Sequence, residues 1–169
     1  ASFTLGRVVI ALAKIIAWLI WLQPAPIRRN LGNGLGFVLR VLSIRRSVVL
    51  ENIKLASLDN KDLLNSIYHH LGNLVLELFL ILGPMKRFIR QSSELRGVEH
   101  WRNAASLGKV VIFLSSHVGN WEIMAASGVF WGGIDILLVT KRLKPAWLHQ
   151  AIERGRSRYN VKATYEPRT

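Results

Sequence analysis

Apolar residues run almost unbroken from Phe3 to Leu22, interrupted by Arg7 and Lys14. A run of that length predicts a helix, which Pro24 and Pro26 stop. From Arg45 to Ala56 the apolar positions Val48, Val49, Ile53 and Leu55 fit a short helix. Asp59 to Asp62 gives a polar start to a longer one over Asp62–Leu82. There Leu63, Leu64, Ile67, Leu71, Leu74, Val75, Leu78 and Leu82 recur every three to four residues, until Gly83-Pro84 ends it. The pattern then changes. Val110 to Leu114 is a short, wholly apolar run rich in β-branched residues, which suits a strand buried on both faces. Trp121 to Phe130 returns to helical spacing, Gly132-Gly133 makes a turn, and Ile134 to Val139 reads as a second buried strand. Pro145 to Arg158 reads as a helix and Val161 to Tyr165 as a third strand.

Strand–helix–strand–helix–strand at these lengths implies parallel strands joined by crossovers, with ligands gathering at the carboxyl ends of the strands. The expected fold class is α/β, with amino-terminal membrane-associated helices followed by a partial, mainly parallel sheet that carries helices on its faces. Three regions result: an anchor helix over 1–23, a helical, basic, membrane-proximal segment over 24–92, and an α/β portion over 93–169. The first helix is just long enough to span a bilayer at about 20 residues. Lys14 at mid-depth argues equally for a helix lying in the interface, with Trp18 and Trp21 at the headgroup boundary, and a core helix is the plain alternative. A signal peptide does not fit, because no small-x-small cleavage site follows. Gly32, Gly34 and Gly36 do not have the spacing of a dinucleotide fingerprint and read as a loop or a loosely packed helix. Leu95 to Trp101 reads as an edge strand turning into a helix over Trp101–Ser106. The adjacent His69 and His70 read as surface or interface residues rather than metal ligands.

Charge sharpens the picture. The 169 residues hold 23 Lys and Arg against 10 Asp and Glu, a net charge of +13. Mean hydropathy is +0.25, high for a soluble domain. A chain both apolar and basic suits an anionic membrane, nucleic acid or an acidic protein. Arg28, Arg29, Arg40, Arg45 and Arg46 come with no acid between them, and Lys141 to Lys162 holds seven basic residues against Glu153 alone. The absence of cysteine excludes disulfides and thiolate chemistry. No helix-turn-helix, zinc or RNA-binding signature is present.

The candidate chemistry lies where the first strand runs out, in the string SSHVGNWEI. Asn120 is a good N-cap, which puts Glu122 in the first turn of the following helix and His117 in the loop before it. On one continuous helix residues five apart diverge by roughly 140°. A strand–turn–helix lets them converge, and a carboxylate beside an imidazole holds one ring nitrogen as N–H and leaves the other as a base. Roughly 0.3 such His–acid pairs are expected by accident, so spacing alone leaves open a capped helix with a bystander histidine.

The string SHVGNWE closely resembles the His-x4-Asp/Glu block of the bacterial lipid A biosynthesis (late) acyltransferases, within the lysophospholipid and glycerolipid acyltransferase superfamily. Supporting, partial resemblances lie in RRSVVLENIKLA (Arg45–Ala56), in LRGVEHW (Leu95–Trp101) and in Gly155-Arg156-Ser157-Arg158. The resemblance implies an O-acyltransferase of the His-x4-Glu type, with His117 as catalytic base assisted by Glu122. It also implies Arg156, Arg154, Arg142 and Asn120 as substrate-binding residues, and neither a metal nor an organic cofactor. The implied donor is an acyl carrier protein thioester. The implied acceptor is a hydroxyl of an anionic glycolipid, a lipid A precursor, at the bacterial inner membrane on its cytoplasmic side. No nucleic acid partner is expected. The chain would cover about the first half of a family member, leaving the glycerolipid acyltransferase-like sheet incomplete. The alternatives are transfer to another membrane glycolipid or a lysophospholipid, and a non-enzymatic basic protein that binds anionic membrane or nucleic acid.

Overall fold

The computed structural model describes residues 2–58, 62–116 and 118–165, with the side chains of 2–5 excepted. Its elements are α1 (Ser2–Leu22), α2 (Ala25–Val41), α3 (Arg46–Leu55), α4 (Leu63–Leu80), α5 (Met85–Ser92), α6 (Val98–Ala105), α7 (Trp121–Gly132), β1 (Leu137–Thr140), α8 (Ala146–Ser157) and β2 (Lys162–Tyr165). The expected polar start at 59–61 lies outside the described residues.

The helices expected from periodicity form, and α2 and α5 are added to them. The segment after the prolines is itself a helix. Pro24 and Pro26 end α1 and begin α2, where a missing N–H costs nothing because the first turn has no partner for it. The glycines of α2 are neither a loop nor a loose helix. Gly32 and Gly36 are buried against α4, whose Gly72 faces them. A Cβ on Gly36 would sit 2.2 Å from the Tyr68 carbonyl oxygen, and one on Gly72 would sit 2.2 Å from that of Gly32. Two backbones can touch only where no Cβ intervenes, so three glycines set the distance between α2 and α4. The contact is locked by the Asn73 amide donating to Asn33 Oδ1 at 3.0 Å, and by the fully buried Tyr68 hydroxyl donating to the Ile44 carbonyl at 2.7 Å.

Gly34, on the open side of α2, has nothing within 4 Å of a Cβ. Gly72→Ala is therefore expected to destabilise by about 1–3 kcal/mol as the helices are forced apart. Gly34→Ala should stabilise by about 0.5–1 kcal/mol through helix propensity alone. Denaturant melts of the two variants with shifts in the same direction would refute the glycine contact.

A second core joins α5 and α7 to the chain that follows α8. Ile81, Met85, Ile89, Ile123, Ala126 and Val161 are buried in it. Tyr159 completes it and donates from its hydroxyl to the Gly83 carbonyl at 3.2 Å. Burial raises the pKa of that phenol.

The sheet is smaller than the sequence implies. β1 and β2 pair in parallel, Leu137 opposite Lys162 through Thr140 opposite Tyr165, with α8 as the connection. The third and second strands of the expected order are thus present. β1 begins at Leu137 rather than Ile134 and is half exposed rather than buried, because among the described residues only β2 pairs with it. The expected first strand is absent. Val110–Leu114 forms no ladder, and Val110, Ile112 and Leu114 are 93%, 89% and 100% exposed. Apolar character makes a segment suitable for a buried strand, but a strand exists only through a paired neighbour. Among the described residues neither β1 nor β2 pairs with this segment. The edge strand expected near Leu95 is likewise missing. Gly97, at φ 71°, instead breaks the chain into α6, which starts at Val98 and not at Trp101.

α1 forms over the expected range, but among the described residues no helix is long and apolar enough to cross a membrane. A spanning anchor is therefore not supported. α1 buries Ala17 and Ile20 on one side and leaves Val8, Leu12, Ile15 and Leu19 roughly half exposed on the other. Trp18 and Trp21 meet edge to face at 5.6 Å, and the Arg87 guanidinium lies over both rings.

Candidate active site

Asn120 caps α7 as its position implies. Its Oδ1 accepts from the backbone N–H groups of Glu122 and Ile123 at 3.2 and 3.3 Å, satisfying two of the donors a helix start leaves free. Its amide nitrogen is also engaged, donating to Glu77 Oε2 of α4 at 3.2 Å. The loop before α7 is thereby tied at its exit to the helix that carries the glycine contact. Glu77 lies on the second half of α4, facing the start of α7. Its partner is Asn120.

Glu122 occupies the first turn of α7, where the helix dipole favours a carboxylate, and is only 5% exposed. Both of its oxygens face Arg156 of α8, which is 4% exposed. Arg156 Nε donates to Oε2 at 3.1 Å, and Nη2 donates to Oε1 in a short contact. The third arm, Nη1, donates to Glu153 Oε1 at 3.2 Å, and the guanidinium lies 5.3 Å from the centre of the Trp121 ring. Burial by itself would lower the Arg156 pKa. The hydrogen bonds and charge of Glu122, then those of Glu153, outweigh it and hold the group above its ordinary value. α8 comes close enough for this because Gly155 lies against the end of α4. A Cβ there would sit 2.9 Å from the Ile81 carbonyl oxygen.

Of the residues singled out in the sequence, Glu122, Asn120 and Arg156 thus gather at the start of α7. Arg154 is exposed on α8 outside this group. Arg142 is exposed and stacks over the Tyr165 ring at 5.4 Å. His117 lies outside the described residues. The sequence reading missed Glu153 and Trp121 as partners of Arg156. The i, i+3 spacing of Glu153 and Arg156 was the available signal for the first.

A carboxylate offers about four lone-pair directions, and the Arg156 fork takes two. Glu122 can therefore be gripped by Arg156 and still accept an N–H from the loop side. The pair supplies a fixed acceptor whose charge is balanced before any substrate arrives.

Burial, and then the Glu153 carboxylate, push the Tyr165 phenol up to about 12. The neutral phenol is favoured in the folded chain, so its contribution to stability is intact below the ordinary pKa of 10 and is lost as pH rises towards 12. In an absorbance titration, Tyr165→Phe should remove a tyrosine step near pH 12. A titration in which that step persists refutes the assignment.

A sequence model of one family, described as bacterial lipid A biosynthesis acyltransferase, matches residues 2–165. Searches of the curated proteins and of the solved structures found no match.

Proposed function

The chain belongs to the bacterial lipid A biosynthesis acyltransferase family, and on that premise we propose that it moves a fatty acyl group from an acyl carrier protein thioester to a hydroxyl of a phosphorylated lipid A precursor. His117 takes the proton from the acceptor hydroxyl as the oxygen attacks the thioester carbonyl. The tetrahedral intermediate collapses with loss of the carrier thiolate, which takes up the proton. Glu122 holds the imidazole in the tautomer whose free nitrogen faces the hydroxyl and offsets the imidazolium that forms. No covalent acyl-enzyme is needed, since Ser115 and Ser116 lack a nucleophile-elbow setting.

The observation that carries this reading is the buried Glu122 at the start of α7, held by the Arg156 fork five residues beyond His117. The helix start and Arg156 account for the burial of this carboxylate, and its place at the exit of the loop that bears the one histidine at that spacing supports the catalytic reading. Arg156 acts in this reading by positioning Glu122. The exposed Arg142 and Arg154 face the anionic substrates. Mass spectrometry of the full-length protein incubated with acyl carrier thioesters and phosphorylated disaccharide acceptors should detect the acylated glycolipid. Acyl transfer to lysophospholipids alone would reassign the acceptor, and no transfer to any hydroxyl would end the proposal.

The active part works at the cytoplasmic face of the inner membrane, with α1 lying in the interface. Support comes from the exposed Val8, Leu12, Ile15 and Leu19 on one side of α1 and from the arginines of α2 and α3. Leu12→Glu with Leu19→Glu should reduce co-sedimentation with anionic vesicles at least tenfold while leaving the thermal melt in place. Unchanged partition would remove the interfacial role of α1.

A further inference from the structure

The space between α1, α2, α4 and α5 is a cavity of about 520 Å³, within the usual range for small-ligand sites. Its lining is split by chemistry. Ile20, Leu80 and Phe88 give it an apolar part, while Arg28, Arg29, His69 and His70 bring nitrogen donors from α2 and α4.

These nitrogen donors are not equivalent. Arg28 is spoken for: its Nη1 donates to the carbonyls of Trp21 and Gln23 at 3.0 and 2.9 Å, closing the end of α1, and its guanidinium stands over Phe88. The Arg29 guanidinium and the imidazoles of His69 and His70 make no hydrogen bond or ion pair among the described residues. The single acid among the described residues of the lining, Glu77, already accepts from Asn120. The cavity thus combines unused N–H donors, a surplus of positive charge and an apolar wall. Glu77 also makes it a neighbour of the loop that ends at Asn120, three residues past His117.

We propose that this cavity receives the phosphomonoester of the acceptor headgroup, with Arg29 forking the phosphate oxygens and His69 and His70 completing the cradle. An arginine fork matches phosphate geometry, and charge-assisted hydrogen bonds of this kind are the strong ones. The apolar wall covers the non-polar part of an amphiphile. A phosphosugar fits the volume, whereas a folded acidic carrier does not. The inference rests on the acyltransferase reading and assigns the phosphate end of its acceptor.

Binding is tested first without any donor, on the full-length protein in neutral detergent. N-acetylglucosamine 1-phosphate should bind, unphosphorylated N-acetylglucosamine should not, and Arg29→Ala should weaken the phosphosugar about 10-fold to 100-fold. In the transfer assay Arg29→Ala, and His69→Gln with His70→Gln, should raise KM for the phosphorylated acceptor by a similar factor and leave KM for the acyl carrier thioester alone. Arg96, paired with Glu94 on the surface, is the control cation, and Arg96→Ala should change neither.

Equal binding of the phosphosugar by wild type and Arg29→Ala overturns the proposal. So does inorganic phosphate that competes as well as the phosphosugar, which would make this a free-phosphate site. A KM rise confined to the acyl carrier thioester also overturns it, by giving the cavity to the donor. Phosphosugar binding that depends on Arg29, in a protein that transfers no acyl group, would refute the function proposed above and leave the phosphate site standing.

Discussion

Replacing His117 by alanine is expected to lower turnover by about 10³–10⁴-fold in the full-length protein, with the fold intact. The expectation follows from the chemistry of the step. An alcohol is a poor nucleophile at neutral pH, and a positioned base that removes its proton as the bond forms contributes about 10²–10⁴-fold. Loss of the base also leaves Glu122 with no imidazolium to offset, so both contributions go together and the upper part of the range applies. KM for the acyl carrier thioester should change little, because in the proposed step the imidazole acts on the acceptor oxygen during attack and not on the donor at rest. Glu122→Gln is the companion variant. It keeps the side-chain shape but gives up the charge that balances the imidazolium, and it presents an amide to Arg156. Its turnover should fall less than that of His117→Ala, and it should melt earlier. Near-normal transfer by His117→Ala, with mass-verified product, would remove the mechanism.

The difference between what the chain announces and what it conceals has a physical basis. α1, α3, α4, α7 and α8 are written in local periodicity, and the cap at Asn120 in a single residue type, because both depend on neighbours within a turn or two. The parallel pairing of β1 and β2 was legible for the same reason, since a helix of a dozen residues between two short apolar runs leaves few alternatives. Val110–Leu114 carried as good a strand signal as either, yet it is unpaired among the described residues. Composition states a willingness to be buried but not whether a neighbour is present. The glycines of α2 misled in the other direction. Read alone, Gly32 and Gly36 weaken a helix. Read against Gly72 on α4, about forty residues away, they are what allows two helices to touch. The site divides along the same line. Its position, at the start of α7, was local information. Its electrostatics were not: Arg156 stood out as a substrate-binding residue through the resemblance of Gly155-Arg156-Ser157-Arg158 to the family, and no sequence rule joins it to a carboxylate 34 residues earlier.

That pairing carries the second large expected effect, this time on stability. Arg156 and Glu122 are 4% and 6% exposed at their side chains, so water does little to relieve either if the other is removed. Arg156→Ala strips the cation from Glu122 and from Glu153 together and leaves a carboxylate buried at the start of α7. Breaking a buried pair in this way typically costs about 3–5 kcal/mol, a large share of the stability of a domain this size. Removing both partners is a different experiment. Arg156→Met with Glu122→Leu leaves no unpaired charge, so most of the loss should be recovered even though no ion pair remains. Arg156→Lys separates charge from geometry. An ammonium balances Glu122 but cannot fork both of its oxygens while reaching Glu153. The lysine variant should therefore fold nearly as well as wild type and turn over more slowly, with the deficit in kcat rather than in KM for either substrate. Urea melts read the stability series, and steady-state kinetics on Arg156→Lys read the positioning role. If Arg156→Ala melts with wild type, the ion pair does not hold α8 to α7. If instead Arg156→Lys raises KM for the acceptor and leaves kcat unchanged, Arg156 binds substrate directly, as the family resemblance alone implies, and does not serve to hold Glu122.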